Sequence, residues 1–407
     1  MASRIDQHDI RDIAAPAQGC VLVLTRGPVQ TCGLLMRLAR QLGQEGVLVI
    51  AVAGTLECDD TQERDGNVAL IRLASPGPLR GNLRKAPRWI AARRHFDRVV
   101  HEIARRANPR AVLFENVEAA GLAIRLKALM PERALVYLAS ELSCTGIPWV
   151  YRRQERHAVE HLTGVIMNEP HRLAIWYANM GRRIPGIVIP NTVRLSEIPS
   201  NDGDGRQLRN SFPEHGEHIN TLLLYHGLLE DARCLHEIVE AVAASPSDVG
   251  LAIIGAAGAN GGYPLGDIGE RIAAPDLRER VGVLPFQPRH RLLELVQHAD
   301  VGMLLYRDVS LNYYFCAPNK LYEYAACGLP MIGPAWLGVS ELFRRHGLGL
   351  TVIPDDMAQI AAAIEAMRDP EVRAGYAGSA ARAFRDDLCF ERCWEKEKAT
   401  LLEWLQV

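Results

Sequence analysis

Residues 312–330 read NYYFCAPNKLYEYAACGLP, and this stretch carries the signals that decide the fold of the second half of the chain. Pro318 suits the first turn of a helix, where its missing N–H leaves no hydrogen bond unmade. Gly328 is the residue type that ends a helix, and Pro330 prevents its continuation. The stretch therefore predicts a short helix that returns the chain to a strand.

The predicted helix places three polar side chains on one face. Glu323 follows Lys320 by three residues and Asn319 by four, and these spacings bring side chains together on a helix. Ala317 is a weak cap, so the free amides at the helix start stay available to an anion. This face can offer amides and an ammonium group to a diphosphate, while the carboxylate accepts hydrogen bonds from sugar or ribose hydroxyls. The alternative is an ordinary helix with a Lys–Glu pair on its surface.

Outside this stretch, short runs of β-branched residues alternate with segments of helical periodicity, a pattern typical of parallel strands with covering helices. We predict strands at 21–25, 46–52, 68–73, 111–114, 134–137, 164–167, 221–225, 250–254, 281–284, 301–305, 330–333 and 350–353. We predict further helices at 34–42, 89–106, 119–129 and 235–242. The fold class is therefore α/β, with two Rossmann-like domains.

The polar stretch 201–220 marks the boundary between these domains. We predict an N-terminal domain over 1–195, a linker over 196–220, a C-terminal domain over 221–385, and a final helix over 386–407 that crosses back to the N-terminal domain. Ligands of open parallel sheets bind beyond the carboxyl ends of the strands. The sequence therefore predicts a site in a cleft across which the two domains face each other.

Composition excludes several classes of protein. The 407 residues include 46 Lys and Arg against 48 Asp and Glu, a formal charge of −2, so no nucleic-acid partner is predicted. The nine cysteines lack the paired spacing of a disulfide framework or a zinc site, and we expect reduced thiols. The polar start MASRIDQHD and the absence of an apolar run of about 18–20 residues predict neither export nor a membrane span. We expect a cytoplasmic protein.

The stretch from Pro318 to Pro330 resembles the donor-binding signature of GT-B glycosyltransferases, in particular the retaining family 4 group (glycosyl transferases group 1). In that group a Pro-Asn-Lys-Leu-(Phe/Tyr)-Glu-Tyr helix is followed by Gly-x-Pro and a strand. The resemblance covers most of residues 221–400, whereas it is only architectural in the first half. It implies a GT-B fold with an acceptor-binding N-terminal domain and a nucleotide-sugar-binding C-terminal domain.

Four further pieces occur in the order that the family has them. The resemblance places Gly227 and Arg233 near the donor phosphates, and it places Gly255 in a second glycine turn. Residues 284–287 match the loop that meets the nucleotide base, and residues 338–341 match the Gly-x-x-Glu that follows the donor helix. Together with Asn319, Lys320 and Glu323, these residues form the predicted donor site.

Two positions depart from the family pattern. The family has a second Glu eight residues before Glu323, where this chain has Phe315, and it often has a basic residue at the position of Leu228. The first difference weakens the assignment of a retaining mechanism more than it weakens the assignment of the fold. Polar contacts to the sugar could instead come from a neighbouring side chain: Asn312, Tyr313 or Tyr314.

The N-terminal half offers two candidate catalytic carboxylates. Glu115 and Glu141 both follow short predicted strands, so both should lie at the carboxyl edge of the sheet. Such a group could deprotonate an acceptor hydroxyl in an inverting reaction, or orient the substrate in a retaining one. The alternative for each is a solvated or helix-capping Glu.

Residues 80–110 carry ten cations against two acids, a local charge of +8. With the apolar residues among them, they suggest a basic amphipathic helix that rests on an anionic membrane surface. Many GT-B enzymes dock to the inner membrane, so the resemblance implies the same. The alternatives are a solvated Arg-rich helix packed on its own domain, and a site for an acidic acceptor.

The resemblance implies transfer of a sugar from a UDP- or GDP-linked donor to an acceptor hydroxyl on a glycan, glycolipid or lipid-linked intermediate, as in polysaccharide biosynthesis. We expect retention, no cofactor and no metal. Asp202 and Asp204 mimic a metal-binding pair, but no strand precedes them. Two other functions stay open: a GT-B-fold sugar-nucleotide epimerase, and a non-catalytic nucleotide-sugar-binding partner protein.

Overall fold

The structure is a computed structural model. It describes residues 3–4, 19–28, 32–55, 60–74, 86–143, 147–200, 206–212, 216–257 and 266–407, with the backbone alone at 3–4, 86–89, 206, 256 and 257. The chain divides into two compact units. The first unit comprises Met1–Pro190 with Glu395–Val407, and the second comprises Asn191–Trp394.

The first unit is built on a nine-stranded sheet in the order β1-β4-β5-β3-β2-β6-β7-β8-β9. Its strands are β1 Ser3–Arg4, β2 Val21–Pro28, β3 Val49–Thr55, β4 Thr61–Asp65, β5 Val68–Ala74, β6 Ala111–Glu115, β7 Ala134–Ala139, β8 Gly164–Met167 and β9 Gly186–Val188. The pairs β1–β4 and β4–β5 are antiparallel, and the others are parallel. The central parallel strands are buried along their length, because helices cover both faces of such a sheet.

The helices of the first unit are α1 Gly33–Gln44, α2 Ala86–Ala107, α3 Val117–Leu129, α4 Trp149–Val159 and α5 Pro170–Met180. The strand order reverses between β2 and β6, which pair in register from Val21–Ala111 to Leu24–Phe114. In open α/β sheets this reversal opens a crevice at the carboxyl ends of the strands. Thr25 and Glu115 lie at this position.

The second unit has a six-stranded parallel sheet in the order β12-β11-β10-β13-β14-β15. Its strands are β10 Thr221–Leu229, β11 Val249–Ala257, β12 Val281–Pro285, β13 Val301–Met303, β14 Met331–Pro334 and β15 Gly349–Val352. Its helices are α6 Arg206–Arg209, α7 Leu235–Ala244, α8 Gly266–Ile272, α9 Arg289–Val296, α10 Leu311–Tyr314, α11 Asn319–Ala326, α12 Leu337–His346, α13 Met357–Met367 and α14 Pro370–Ala383. The order reverses between β10 and β13, so the crevice of this unit lies where these two strands end.

The last helix, α15 Phe390–Leu405, begins in the second unit, and its residues from Glu395 onward belong to the first. Trp404 packs against Gly164 so closely that a Cβ at this glycine would lie 2.5 Å from the ring. Lys398 Nζ lies 2.6 Å from Glu45 Oε2. These contacts hold the C-terminal segment on the first unit.

Each predicted strand overlaps a strand of the structure, whereas β1, β4 and β9 are absent from the sequence prediction. The predicted linker 196–220 is not a separate segment between the two units, because its described residues belong to the second unit. Leu208 and Phe212, for example, are buried in the core of that unit. No helix among the described residues is both long and apolar enough to cross a membrane.

Candidate active site

The carboxyl end of β10 carries three residues of the second unit's candidate site: Tyr225, His226 and Gly227. Gly227 has a φ of +127°, in a region of backbone conformation that favours glycine. It pairs with Gly255 on β11. A Cβ at Gly255 would lie 3.1 Å from the carbonyl oxygen of Gly227 and 2.5 Å from the Leu229 side chain. The two predicted glycine turns are therefore neighbours, and both need a residue without a side chain.

Helix α11 begins at Asn319, with the extended Pro318 just before it rather than in its first turn. Among the described residues no side chain caps this helix start, so its amides are available as the sequence predicts. Tyr324 fixes the helix on the sheet, because its hydroxyl donates to the carbonyl oxygen of Leu224 at 3.1 Å. Gly302 allows this close approach, since a Cβ there would lie 2.5 Å from the Tyr324 ring.

Lys320 is buried beside the end of β10. Its Nζ atom lies 4.0 Å from the centre of the Tyr225 ring and 5.5 Å from that of Tyr306. A Cβ on Gly227 would lie 3.7 Å from the same nitrogen. Among the described residues no acceptor forms a hydrogen bond with Nζ. Burial, and then the charge of Arg233, lower the pKa of Lys320 well below its usual range.

Arg233 ends a short 3-10 turn over Asp231–Arg233 that follows β10. Its guanidinium carbon lies 5.0 Å from the centre of the Tyr306 ring and 5.3 Å from that of Tyr313. Tyr306 thus contacts both Arg233 and Lys320. The nearest carboxylate to Arg233 is that of Glu230, at 3.7 Å from Nε. The structure therefore gathers two cations around one aromatic ring, an arrangement that suits a doubly charged anion.

Glu323 is buried one turn after Lys320, and it lies near two basic side chains. Its Oε2 atom is 3.5 Å from His226 Nε2, and its Oε1 atom is 3.4 Å from Arg289 Nη2. Burial, and then the charges of Lys320 and Arg289, lower the pKa of His226 well below its usual range. His226 is therefore neutral near pH 7, and Arg289 is the cation that balances Glu323. Sequence reasoning missed Arg289, which no motif marks.

The remaining predicted donor residues occupy the rim of this region. Asn319 is exposed at the first position of α11, and Asn312 lies beside Tyr313 in the short helix α10. Tyr314 stacks on Trp336 with 5.6 Å between ring centres, whereas its neighbour Tyr313 contacts Arg233.

Phe315, at the position where the family has its second Glu, packs against Gly338, and a Cβ on this glycine would lie 3.1 Å from the Phe315 Cα. The position holds no carboxylate, and its backbone forms part of a tight contact with α12.

Glu115 ends β6 at the crevice of the first unit and is only 4% exposed. Ser140 Oγ donates to its Oε1 atom at 3.0 Å. Burial raises the pKa of Glu115, and the nearby Cys32, Ser140 and Thr25 side chains oppose this shift. Glu115 is therefore in surroundings that let a carboxyl group keep its proton at a higher pH than an exposed one does.

Glu141 lies in the loop after β7 and, unlike Glu115, its side chain is 59% exposed. Its Oε2 atom is 3.6 Å from Nη1 of the buried Arg172. The same Nη1 atom donates to the carbonyl oxygen of Ser140 at 2.9 Å, which ties the loop to α5. The two predicted catalytic carboxylates therefore differ: one is buried, and one faces solvent beside a fixed cation.

The first unit also contains a buried carboxylate that sequence reasoning missed. Glu155 on α4 is 1% exposed and accepts hydrogen bonds from Tyr137 Oη at 3.0 Å and Trp176 Nε1 at 2.9 Å. Ser143 Oγ also donates to it. Because Ser143 lies two residues after Glu141, this network helps to hold the loop that carries the exposed carboxylate.

Part of the predicted basic segment 80–110 is engaged within the first unit. Asp97 on α2 pairs with Arg26 and, at 2.5 Å, with Arg125, and Arg106 pairs with Glu102. Several other cations of α2 are exposed: Arg94, Arg98 and Arg105. The cations Arg80, Arg84 and Lys85, the side chains of Arg88 and Trp89, and the pair Asp202 and Asp204 lie outside the described residues.

Solved structures share this architecture over nearly their whole length. The chain superposes on sucrose-phosphate synthase from Thermosynechococcus elongatus with a TM-score of 0.76 and 16% identity, covering 96% of this chain and 99% of that one. HepE of Anabaena in complex with UDP gives a TM-score of 0.72 and 15% identity over 94% and 100%. A UDP-forming α,α-trehalose-phosphate synthase from Burkholderia xenovorans gives 0.70 and 14% over 96% and 99%. The expected GT-B fold is confirmed.

Residues 221–369 match the family model described as glycosyl transferases group 1. These residues contain β10, α11 and the cation cluster between them, so the part of the chain that resembles this family is the part that carries the candidate donor site. With the GT-B fold, this match identifies the chain as a glycosyltransferase. No curated protein sequence matches the chain significantly.

Proposed function

We propose that the second unit binds a UDP-sugar and that the enzyme transfers this sugar to a hydroxyl of a glycan, glycolipid or lipid-linked acceptor. The observation that carries the proposal is the buried ammonium group of Lys320, which has no hydrogen-bond acceptor among the described residues. A buried charge of this kind is costly unless a ligand compensates it. The UDP of the HepE complex supports the choice of nucleotide.

The site chemistry fits the departure of a nucleoside diphosphate. As the bond between the sugar and the diphosphate breaks, negative charge develops on the β-phosphate. Lys320 and Arg233, which both contact Tyr306, would stabilise that charge, and the amides at the start of α11 would add to this effect. Glu323 would accept hydrogen bonds from ribose or sugar hydroxyls. These cations can replace the divalent ion that other transferases use, so we propose a metal-independent reaction.

The first unit would bind the acceptor, with Glu141 and Glu115 in separate roles. Glu141 is exposed and could orient or polarise an incoming hydroxyl. Glu115 is buried and its raised pKa favours the neutral acid, which donates rather than accepts a hydrogen bond. Because no second carboxylate occupies position 315, we propose retention in which the donor phosphate, rather than a protein base, receives the acceptor proton.

A thermal-shift panel of UDP, GDP, dTDP and CMP tests the donor site. A ligand that binds only the folded chain raises its apparent stability, and we expect UDP to give the largest shift. The shift should be lost in Lys320→Met and kept in Lys396→Met, an exposed lysine on α15. Equal shifts with all four nucleotides, or an unchanged UDP shift in Lys320→Met, would contradict the proposed donor site.

Product analysis then separates transfer from other uses of the same site. The enzyme is incubated with UDP-glucose and a panel of acceptor sugars and lipids, and the products are identified by mass spectrometry. NMR of the new linkage gives its anomeric configuration, and an α-linked product from an α-linked donor would support retention. An epimerised donor without transfer would instead identify a sugar-nucleotide epimerase. EDTA should leave the transfer rate unchanged.

We further propose that the exposed face of α2 and the start of α4 bind anionic lipid. Arg93 Nη1 donates to Tyr151 Oη at 2.9 Å, which joins the two helices. Ile90 is 43% exposed and Trp149 67% exposed, so apolar side chains accompany the cations. Each cation near an anionic surface adds about 1 kcal/mol of attraction.

Sedimentation with phosphatidylcholine vesicles, with and without phosphatidylglycerol, tests this surface. We expect binding only to the anionic vesicles, weaker at high salt, and lost in the double variant Arg94→Glu/Arg153→Glu. Arg278→Glu, at an exposed position of the second unit, is the matched control. Equal binding of both variants would refute the assignment of this surface without affecting the donor site.

A further inference from the structure

The end of helix α4 brings together three side chains that can bind a metal ion. The chain reads HAVEH over 157–161. The ligating atoms of His157, Glu160 and His161 all lie within 4.8 Å of one another. His157 Nδ1 is 3.6 Å from Glu160 Oε2, and the two imidazole rings are 5.3 Å apart at 81°. His157 and Glu160 are exposed, and His161 is half-buried.

This spacing matches what a small divalent ion requires. Zinc binds imidazole nitrogen and carboxylate oxygen at about 2.0–2.2 Å, so two ligands of a tetrahedral site stand roughly 3.3 Å apart. The His157–Glu160 distance is already near this value. The other atoms reach it by side-chain rotation, which costs little at an exposed position.

The helix supplies the preorganisation and part of the electrostatics. His157 and His161 are four residues apart, so they meet on one face at the last turn of α4 and just beyond it. The carbonyl groups at a helix end carry partial negative charge, which favours a cation. Arg153, one turn before His157, and Arg156, the residue just before it, carry positive charges that oppose cation binding. The carboxylate of Glu160 supplies the one negative charge within the set.

We propose that His157, Glu160 and His161 form a site for Zn²⁺ or a related first-row divalent ion on the surface of the first unit. Imidazole and carboxylate ligands suit these metals rather than Ca²⁺ or Mg²⁺. Three protein ligands leave the fourth zinc position open to water or to an external ligand. The bound ion would clamp the end of α4, the helix that also carries Glu155. This site is independent of the proposed sugar transfer.

Isothermal titration of the full chain with ZnCl₂, after removal of metals, tests the proposal. Wild type should bind one Zn²⁺ at this site, and the double variant His157→Ala/His161→Ala should weaken that binding at least about tenfold. His290→Ala, an exposed histidine in the second unit, should bind as wild type does. Thermal unfolding gives an independent measurement, because Zn²⁺ should raise the Tm of wild type and of His290→Ala only.

The cysteines require a separate control experiment, because thiols also bind zinc. The titration is therefore repeated after alkylation of accessible thiols, and the difference between wild type and the double variant should persist. No zinc binding by wild type, equal binding by wild type and the double variant, or loss of the difference on alkylation would each overturn the site. Circular dichroism checks that the variants are folded.

Discussion

Lys320 places its ammonium nitrogen 4.0 Å from the centre of the Tyr225 ring, so an aromatic face, rather than a carboxylate, is its nearest partner. A cation–π contact compensates a buried charge only in part. Burial therefore disfavours the protonated amine of Lys320 in the unliganded site, and a bound diphosphate would remove that cost.

We expect Lys320→Met to stabilise the unliganded enzyme while it weakens UDP binding. Methionine fills a similar volume without a charge, so the free energy of unfolding should rise by about 1–3 kcal/mol near pH 6. The folded pKa of Lys320 is lowered, and the unfolded chain therefore binds the extra proton between that value and about 10.4. Wild-type stability should rise with pH across this window, and the advantage of the variant should shrink.

Urea unfolding at several pH values measures this difference, and titration with UDP measures the affinity. We expect affinity to fall about 10- to 100-fold, the range for a lost charged hydrogen bond. Lys396→Met is the control for both measurements. A variant that is less stable than wild type at every pH would show that the ammonium group is compensated in the unliganded fold.

Gly227→Ala should weaken donor binding through the backbone. The residue has a φ of +127°, and an added Cβ would make only an ordinary contact of 3.7 Å with Lys320. The expected cost is therefore conformational, about 1–3 kcal/mol. Gly46→Ala is a matched control, because its φ is +84° and a Cβ there meets no atom within 4 Å.

Both glycine variants should lose stability in chemical unfolding, but only Gly227→Ala should also lose UDP affinity. The reason is that a shift of the backbone at the end of β10 moves the wall of the proposed phosphate site, whereas Gly46 lies in the first unit. If both variants bind UDP as tightly as wild type does, the end of β10 does not contact the donor.

Glu323→Gln should raise the KM for the donor with a smaller effect on kcat. Glutamine keeps the shape of the side chain but removes the charge that balances Arg289 at 3.4 Å. If Glu323 holds ribose hydroxyls equally in the ground state and the transition state, its loss changes binding alone. We expect a KM increase of about tenfold or more in steady-state assays over a range of donor concentrations. Glu270→Gln, on the exposed side of α8, should leave both constants unchanged.

The parallel strands could be predicted because burial on both faces leaves continuous apolar runs in the sequence. Strand β4, with the sequence TQERD, could not, since its side chains are largely exposed and show no apolar alternation. The polar stretch after residue 200 led to the prediction of a linker for a similar reason. Polarity marks solvent exposure, but it does not show that a segment lacks packing of its own, as Leu208 and Phe212 have.

The donor site was predictable where its residues share one helix, as Lys320 and Glu323 do. Arg289 and Glu155 were not, because each meets its partners only through the tertiary fold. Arg289 is 34 residues from Glu323 in sequence, and the Glu155 network joins a strand, a loop and two helices. The difference in burial between Glu115 and Glu141 could not be predicted either, since both follow short predicted strands.

The buried carboxylates of the first unit predict a fall in its stability as pH rises. Burial raises the folded pKa of Glu155, while hydrogen bonds from Ser143, Trp176 and Tyr137 oppose this shift. The unfolded value is about 4.3. Between the two pKa values the folded chain holds more protons, so the free energy of unfolding falls as pH rises toward the folded pKa. Glu115, whose pKa is also raised, adds to this slope.

Native-state hydrogen exchange of peptides that span β6–β8, followed by mass spectrometry from pH 5 to pH 8, measures this effect in the first unit alone. After correction for the intrinsic exchange rate, wild-type protection should fall with pH. Glu155→Gln, which stays neutral, should flatten the slope, and Glu115→Gln/Glu155→Gln should flatten it further. Glu155→Ala should lose about 3–5 kcal/mol at every pH, because three buried donors lose their acceptor. An unchanged slope in Glu155→Gln would mean that Glu155 is ionised in the folded chain, held by those three donors.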